Sequence, residues 1–339
     1  MRLSELDYKL PEELIAQHPM ERRDEARMLV VDRRAGTFEH SRFYKLGRHL
    51  RDGDLLVLND TRVFPARLFA HKESGGKVEL LMVRALDQPA GAWLALMRSH
   101  HALKEGTRLI VEGGHTLTVA GYQKPGRPIV TSDNSTTIED ILAGAGQLAL
   151  PHYIRRPAGD ADACAYQTVF ASHPGAIAAP TAGLHFPQGH LAELADAGIH
   201  HAFLTLHIGP GTFTPLRAPE VEAHTMEAEW YTIPPATVAA IEHAQRIGAR
   251  VIAVGTSSVR ALESYAITRD LEGFTGLFIA PGFRFKLVDA MITNFHLPRS
   301  TVLALVMALA GRDLILAAYR EAVRHHYQFL SYGDAMLIL

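Results

Sequence analysis

The hydrophobic pattern changes along the chain, and the change predicts two architectures. Between about residues 66 and 132, short apolar or alternating segments are separated by turns such as Ser74-Gly75-Gly76 and Gln88-Pro89-Ala90-Gly91. Strands this short, at this spacing, are typical of a small antiparallel barrel or sandwich. We predict strands at residues 66–71, 77–84, 92–97, 107–111, 115–122 and after the turn at 125–128.

Helical and strand patterns alternate in the C-terminal part of the chain. A helical stripe at residues 191–195 precedes a strand at 202–206, and a helix beginning at Pro234-Pro235 precedes a strand at 250–254. The second strand is continuously apolar, as strands buried inside parallel sheets are. Gly255 follows it directly, and α/β sheets present ligand sites at such strand ends.

The length and composition fit two folded domains. A chain of 339 residues exceeds what one hydrophobic core usually serves. Apolar residues make up 47% and charged residues 21%, which argues against disorder. We predict an α/β fold in which a main domain, residues 1–62 and 151–339, is interrupted by an inserted all-β domain, residues 63–150.

Charge and cysteine content narrow the classes of partner. The formal net charge of -2 means that nucleic-acid binding would need a local basic surface. The single cysteine, Cys164, excludes an intramolecular disulfide and a cysteine-based zinc site. No His-Glu-x-x-His motif is present, and the adjacent pairs His200-His201 and His325-His326 point apart on most elements. We therefore expect no metal site.

Neither end of the chain predicts a membrane or export segment. The first ten residues mix charged and apolar side chains and lack the apolar core of a signal peptide. The apolar segment at residues 302–310 is far shorter than the roughly 20 residues that span a membrane. We expect a cytoplasmic protein with no membrane association.

A polar cluster follows the apolar segment 55–58. Asn59-Asp60-Thr61-Arg62, with Pro65-Ala66-Arg67 after it, is compatible with a turn in which side chains bond their own backbone. It is equally compatible with recognition of a base edge or a ribose, with Arg62 or Arg67 on phosphate.

Two histidines stand next to glycine-containing segments. His185 ends a segment of small residues, 178–184, that would let a backbone approach a ligand, and it precedes a helix start expected at Pro187. His207 ends the strand at 202–206, before Gly209-Pro210-Gly211. The simpler interpretation of His185 is a purely structural role. The simpler interpretation of His207 is a turn with a solvent-facing histidine.

The other candidate segments lie further along the chain. Residues 224–229, if they form a strand, place Glu229 where it would bind a cationic substrate group or act as a base. An exposed charged strand is the alternative.

Residues 255–260 lack the Gly-Lys-Ser/Thr ending of a nucleotide-hydrolase loop and predict another kind of ligand-binding turn. Helix capping by Ser300 or Thr301 leaves residues 294–296 unexplained. A polar Ser331-Tyr332-Gly333-Asp334 cluster is unusual in an apolar tail.

Together these segments resemble the tRNA ribosyltransferase-isomerases of queuosine biosynthesis, in the family's order and over nearly the whole chain. The motifs that carry the resemblance include Asn59-Asp60-Thr61-Arg62-Val63, Gly75-Gly76-Lys77-Val78-Glu79, Tyr166-Gln167-Thr168-Val169, Ala179-Pro180-Thr181-Ala182-Gly183-Leu184-His185-Phe186, Val254-Gly255-Thr256, Thr293-Asn294-Phe295-His296-Leu297-Pro298 and Ser331-Tyr332-Gly333-Asp334. One departure is Glu227, which stands where the family usually has a histidine.

The resemblance implies a fold and a reaction. The fold is an α/β domain with an inserted antiparallel β-barrel. In the reaction, S-adenosylmethionine is a co-substrate whose ribosyl group is transferred and isomerised onto 7-aminomethyl-7-deazaguanine at the tRNA wobble position. The products are epoxyqueuosine tRNA, adenine and methionine. We expect no permanently bound cofactor and a monomer.

The resemblance also assigns expected roles to residues. The catalytic candidates, which would act as base or acid or hold the amine or sulfonium, are His185, His207, Glu229 and Asp334. The candidates for binding the donor are Thr181, Gly183, Gly255, Thr256 and Arg260. Those for the tRNA base and backbone are Asn59, Asp60, Thr61, Arg62 and Arg67, and Asn294 and His296 complete the substrate-binding set.

Two other functions remain as alternatives. A non-catalytic RNA-binding module would use the β insert as an oligonucleotide-binding barrel, but the insert has few aromatic residues for base stacking, mainly Phe69, Trp93 and Tyr122. An ordinary methyltransferase would have a glycine-rich turn after its first strand and an acidic residue one strand later, and the sequence shows neither.

Overall fold

The computed structural model describes residues 1–133, 136–213, 216, 220–221 and 224–339. The chain divides into two compact units. The first contains Met1–Arg62, Pro151–Arg156 and Cys164–Leu339, and the second contains Val63–Leu150 and Pro157–Ala163. The second unit thus includes residues 157–163, which lie outside the range expected for the insert.

Strands and helices alternate in the first unit, whereas the second is mainly strands. The strands are β1 Arg27–Asp32, β2 Thr37–Arg42, β3 Leu55–Asn59, β4 Thr61–Val63, β5 Arg67–Lys72, β6 Lys77–Ala85, β7 Trp93–Ser99, β8 Arg108–Val111, β9 Thr116–Lys124, β10 Arg127–Ser132, β11 His173–Ala176, β12 His200–Leu206, β13 Glu229–Thr232, β14 Val251–Val254, β15 Glu272–Thr275, β16 Ala290–Asn294 and β17 Ala335–Ile338. The α-helices are α1 Ile138–Ala145, α2 Asp160–Ala165, α3 His190–Asp196, α4 Pro235–Arg246, α5 Thr256–Thr268, α6 Thr301–Ala310 and α7 Arg312–Arg324.

A nine-stranded sheet forms the centre of the first unit. Its order is β15-β13-β12-β3-β14-β16-β17-β1-β2. Strands β12, β3, β14 and β16 are parallel, and antiparallel strands flank them on both sides. Because parallel strands are buried on both faces, their sequences are continuously apolar, as in β14.

The two faces of the sheet have separate cores. Leu55 and Val57 of β3 pack with apolar residues of α4 to α7. Leu56 and Leu58 point to the opposite face, where they pack with α3 and the 3-10 helix Phe43–His49. This alternation is the period of two of a β-strand. The first unit is therefore three-layered, with the sheet in the middle.

The second unit contains a closed antiparallel barrel. Its strand order is β10-β7-β6-β5-β8-β9, and β9 pairs with β10 to close it. The barrel interior is apolar, with Leu68, Leu80 and Leu117 fully buried. Helix α1 adds Ile138 and Ile141 to the same core.

The predicted fold class is confirmed, with two local corrections. All six short strands predicted from the turn spacing are present as β5 to β10, and they form a barrel rather than a sandwich. No strand covers residues 224–228, because regular pairing begins at Glu229. Helix α3 begins at His190 rather than near Pro187, after Gly189 in a left-handed conformation.

No single helix in the described part of the chain is long and apolar enough to cross a membrane. Helices α6 and α7 meet the length and composition test only as a pair, bent by 114°.

Candidate active site

Polar residues collect where the parallel strands end. Strands β3, β12, β14 and β16 point the same way, so their last residues share one edge of the sheet. Asn59 ends β3 and Asn294 ends β16, while Gly255 follows β14 directly. The carboxyl edge of an α/β sheet is where such folds bind ligands.

Asn59 ties this edge together. Its Nδ2 donates to the Leu206 carbonyl at 2.9 Å and to Ser257 Oγ at 3.0 Å. Its Oδ1 accepts from the backbone N–H groups of Leu206 at 3.0 Å and Thr61 at 3.1 Å. All the hydrogen-bonding groups of this buried amide are engaged within the protein, so Asn59 joins β3, β12 and α5 rather than facing a ligand.

His207 lies at the end of β12 in a half-buried position. Its Nδ1 is 2.8 Å from Thr61 Oγ1, and its ring stacks on Trp230 with the centroids 5.0 Å apart. A Cβ at Gly175 would come within 2.5 Å of the imidazole, so only glycine lets β11 pass this close. Burial, and secondarily the charge of His173, lowers the His207 pKa to about 4. The ring is therefore neutral at pH 7.

Asp60 forms a second polar group next to His207. Its Oδ1 accepts from Thr205 Oγ1 at 2.6 Å, and its Oδ2 is 3.2 Å from His173 Nδ1. His173 is largely exposed, with 62% of its side chain accessible, while the Asp60 side chain is 12% accessible. Asp60 can thus hold the exposed imidazole in place.

Glu229 is paired with Arg260 in the interior. Arg260 Nη1 bonds Glu229 Oε2, and Glu229 Oε1 accepts from the Gly209 N–H at 2.7 Å. The Arg260 guanidinium also donates to the carbonyls of Leu277 at 3.1 Å and Thr275 at 3.2 Å. This ion pair connects β13 to α5 and lines a small apolar pocket.

A larger cleft opens beside the same edge of the sheet. The empty volume of the cleft is ≈ 690 Å³, which includes the solvent at its open side. Its lining includes Tyr153, Tyr166, Thr181, Gly255, Thr256, Ser257, Asn294, His296, Ser300 and Ser331. Gly255 has φ 91°, a conformation that favours glycine, and this turn begins α5 at the cleft. No side chain in the described part of the chain caps α5, so the first N–H groups of this helix are available to an anion.

His185 is buried and contacts Asn294, which lines the cleft. Its Nε2 is 3.2 Å from Asn294 Nδ2, which also donates to the Leu330 carbonyl at 3.2 Å. Since that amide nitrogen is the donor, we assign His185 Nε2 as acceptor and the proton to Nδ1. Burial lowers the His185 pKa to about 4. Asn294 Oδ1 is buried and has no hydrogen-bond partner among the described residues.

His296 lines the cleft. Its Nε2 is 2.8 Å from Thr293 Oγ1, and its backbone N–H donates to Tyr319 Oη at 3.0 Å. Burial lowers the His296 pKa to about 3, so this ring is also neutral at pH 7.

Asp334 anchors the start of β17. Its Oδ1 accepts from the Arg27 N–H and its Oδ2 from the Gln328 N–H, both at 2.7 Å. Burial raises the Asp334 pKa, and these two hydrogen bonds oppose that effect. The carboxylate thereby fixes the turn that leads into β17, next to the end of β16.

Comparison with known proteins assigns the chain to a family. The family model described as "Queuosine biosynthesis protein" matches residues 3–338. The chain belongs to this family.

Full-length relatives support the assignment. The S-adenosylmethionine:tRNA ribosyltransferase-isomerase of Anaeromyxobacter sp. (strain Fw109-5) is 49% identical, over 100% of this chain and 99% of the relative. The protein of the same name from Pelobacter propionicus is 46% identical over 100% of both chains. The crystal structure of S-adenosylmethionine tRNA ribosyltransferase from Thermotoga maritima has a TM-score of 0.57 and 37% identity, over 99% of this chain and 100% of that one. The resemblance identified from the sequence is confirmed.

The remaining candidate residues occupy different surroundings. Thr181 and Thr256 line the cleft. A Cβ at Gly183 would lie 2.9 Å from both Phe170 and Thr168, so close packing accounts for this glycine. Arg62 is exposed and is the last residue of the N-terminal segment of the first unit. Arg67 belongs to the barrel, where its Nε is 3.2 Å from Glu79 Oε1.

The structure adds residues that the sequence patterns did not indicate. Thr205 and His173 complete the Asp60 group. Tyr153 lines the cleft, its hydroxyl is 2.7 Å from Ser331 Oγ, and burial raises its pKa to about 12. Thr205 is the one polar residue in the apolar part of β12, residues 202–206, and this is the signal that could have found it.

Proposed function

We propose that this chain transfers and isomerises the ribosyl group of S-adenosylmethionine onto 7-aminomethyl-7-deazaguanine at the tRNA wobble position. Epoxyqueuosine tRNA, adenine and methionine are the products. The chain acts as a monomer without a permanently bound cofactor. Support comes from the names of its full-length relatives and from one structural observation. Asn294 lines the cleft, and its buried Oδ1 has no hydrogen-bond partner among the residues that the structure describes.

The cleft offers complementary groups for S-adenosylmethionine. The first N–H groups of α5, at Thr256 and Ser257, suit the carboxylate of the methionine part. Asn294 Oδ1 is an acceptor that costs free energy while unpaired, and an N–H group of the donor molecule would satisfy it. Small residues at 178–182 leave room for the ligand along the cleft wall.

The reaction needs a base in its neutral form. A proton on the carbon next to the sulfonium must be removed, and the adenine must leave with a hydrogen bond to its ring. His207 is half-buried and neutral at pH 7, and the next residue, Ile208, lines the cleft. We assign His207 as the base, oriented by Thr61. Its low pKa limits its strength, so proximity must supply part of the rate.

The other catalytic candidates act through their neighbours. His185 holds the Asn294 amide. Glu229 holds Arg260 and the Gly209 backbone. Asp334 holds two backbone N–H groups. These contacts favour positioning roles for His185, Glu229 and Asp334. The exposed Arg62 and the Asp60–His173 group are assigned to the tRNA.

The test is adenine release from S-adenosylmethionine, followed by chromatography, with tRNA that carries the aminomethyl-deazaguanine. We expect release that depends on this modified tRNA. Asn294→Asp keeps the Oδ1 acceptor and Asn294→Leu removes it, so the Leu variant should raise KM for S-adenosylmethionine more than the Asp variant does.

A different outcome would favour the alternative function. Tight binding of the modified tRNA without any adenine release would indicate a non-catalytic RNA-binding module. The barrel gives that module little support: Trp93 is 8% exposed and donates to Glu139 at 3.2 Å, so its ring is not free to stack on a base. Phe69 and Tyr122 are exposed, so base stacking on the barrel would have to use these two rings.

A further inference from the structure

Two histidines and a glutamate meet on the surface of the first unit, and none of the three lines the cleft. His40 lies on β2, Glu321 on the last turn of α7, and His325 directly after that helix. Glu321 Oε1 is 3.1 Å from His40 Nε2 and 2.9 Å from His325 Nε2. The two imidazole centroids are 4.5 Å apart. One carboxylate oxygen therefore faces both Nε2 atoms.

The spacing of these three atoms matches a metal coordination shell. All three lie within 4.8 Å of one another. Ligands about 2.0–2.2 Å from a tetrahedral zinc ion are separated from each other by roughly 3.3–3.5 Å. The two distances to Glu321 Oε1 need only a few tenths of an ångström of opening to reach that value. We propose that His40, Glu321 and His325 bind a divalent transition-metal ion, best matched by Zn²⁺, and leave its fourth position to water.

The residues around the cluster orient its ligands. Tyr327 Oη is 2.9 Å from His40 Nδ1, and the Tyr327 side chain is fully buried. A metal-bound imidazole uses its second nitrogen in this way, donating to a fixed partner. Arg324 Nη2 donates to Glu321 Oε2 at 2.6 Å and leaves Oε1 for the ion.

The surrounding charges set the affinity of the proposed site for a metal ion. Arg324 bonds Glu321, and Arg27 lies over the Tyr327 ring, 3.8 Å from its centroid, and donates to the His325 carbonyl at 2.6 Å. Both guanidiniums oppose a cation, so we expect moderate affinity. Two nitrogen ligands favour Zn²⁺ over Mg²⁺ and Ca²⁺, which prefer oxygen.

The ion would join two elements that are distant in the sequence. β2 is an edge strand of the nine-stranded sheet, and α7 ends beside it. A ligand from each element turns the ion into a cross-link that stabilises the folded state, because the unfolded chain does not hold the site together.

Metal binding is measured on the untagged full-length protein after treatment with a chelator. We expect one equivalent of Zn²⁺ to bind by calorimetry and to raise Tm. Co²⁺ should give the visible absorption bands of a four- or five-coordinate site. Neither readout involves adenine release, so a failure here leaves the proposed function untouched.

Variants locate the site. His40→Ala and Glu321→Gln should abolish the stoichiometric binding and the Co²⁺ bands. Tyr327→Phe should weaken binding by about 10-fold, since it removes only the orienting group. His326→Asn is the matched control, because His326 adjoins the site, is exposed, and has a φ of 52° that asparagine tolerates. Absence of stoichiometric binding, or equal binding by His40→Ala, would overturn the proposal.

Discussion

The barrel and the α/β unit bury different kinds of residue. Among the described residues of the second unit, 63–133, 136–150 and 157–163, Asp162 is the one buried side chain that carries a charge or an amide, hydroxyl or imidazole group. The α/β unit buries many, including Asn59, His185, Glu229, Arg260 and Asn294. The barrel interior is a continuous apolar core, whereas the centre of the α/β unit is polar at one edge of its sheet.

The difference indicates where the two regions place chemistry. Each buried polar group costs free energy unless a hydrogen bond satisfies it. The α/β unit bears that cost at the carboxyl ends of its parallel strands, where no described residue satisfies Asn294 Oδ1. A barrel filled by apolar side chains has no such interior site, so any ligand must use its outer surface.

The largest effect should follow from removing one partner of the buried ion pair. Glu229→Ala leaves the Arg260 guanidinium charged at a position that is 6% exposed. We expect the free energy of unfolding to fall by about 3–5 kcal/mol. Urea unfolding at pH 7 measures this loss, and the double variant Glu229→Leu with Arg260→Met should recover a large part of it.

A barrel variant provides the matching test of the apolar core. Leu80→Ala removes a fully buried side chain from the barrel and should cost about 2–5 kcal/mol through cavity formation. Because no charged partner is left unpaired in Leu80→Ala, replacing a second, charged residue cannot restore this loss. If the Glu229→Leu, Arg260→Met pair were no more stable than Glu229→Ala, the contrast between the two regions would be wrong.

The next effect is a pH dependence that originates in the α/β unit. The His185 pKa is about 4 in the folded protein and about 6.5 in the unfolded chain. Between these values the unfolded state binds more protons, so stability rises with pH and is lost as the pH falls from about 6.5 to about 4. For this single residue the loss at pH 4 should be about 3 kcal/mol.

Urea titrations at several pH values measure this dependence. His185→Gln should make the slope shallower in that window, even if the variant is less stable at every pH. An unchanged slope in His185→Gln would mean that burial does not suppress the charge on this imidazole.

The smallest effect compares one helix cap from each region. Thr137 Oγ1 accepts from the Asp140 N–H at 3.1 Å in α1, and Ser300 Oγ accepts from the Leu303 N–H at 3.2 Å in α6. Thr137→Ala and Ser300→Ala should each cost about 1 kcal/mol. Ser300 also lines the cleft, so only Ser300→Ala should change KM for S-adenosylmethionine. Equal KM values for the two variants would argue against the cleft as the donor site.

The sequence by itself determined the elements and much of the fold. Turn residues at short intervals between alternating segments produced the six barrel strands, because a strand's period of two and its turns are local properties. The apolar segment before Gly255 likewise became the central strand β14, with glycine at the left-handed turn that follows. Alternation at residues 224–229 was compatible with a strand, but the strand begins only at Glu229, because alternation does not ensure a pairing partner.

Only the tertiary structure decided which polar side chains remain available to a ligand. Asn59 and Asp334 stand in motifs that indicate a site, yet their polar atoms bond backbone groups of Leu206, Arg27 and Gln328, and Asn59 also bonds Ser257 Oγ. His40 and Glu321 are 281 residues apart, and no local pattern relates them. The physical reason is that local periodicity sets secondary structure, whereas strand pairing and helix packing bring distant side chains together and consume or free their polar atoms.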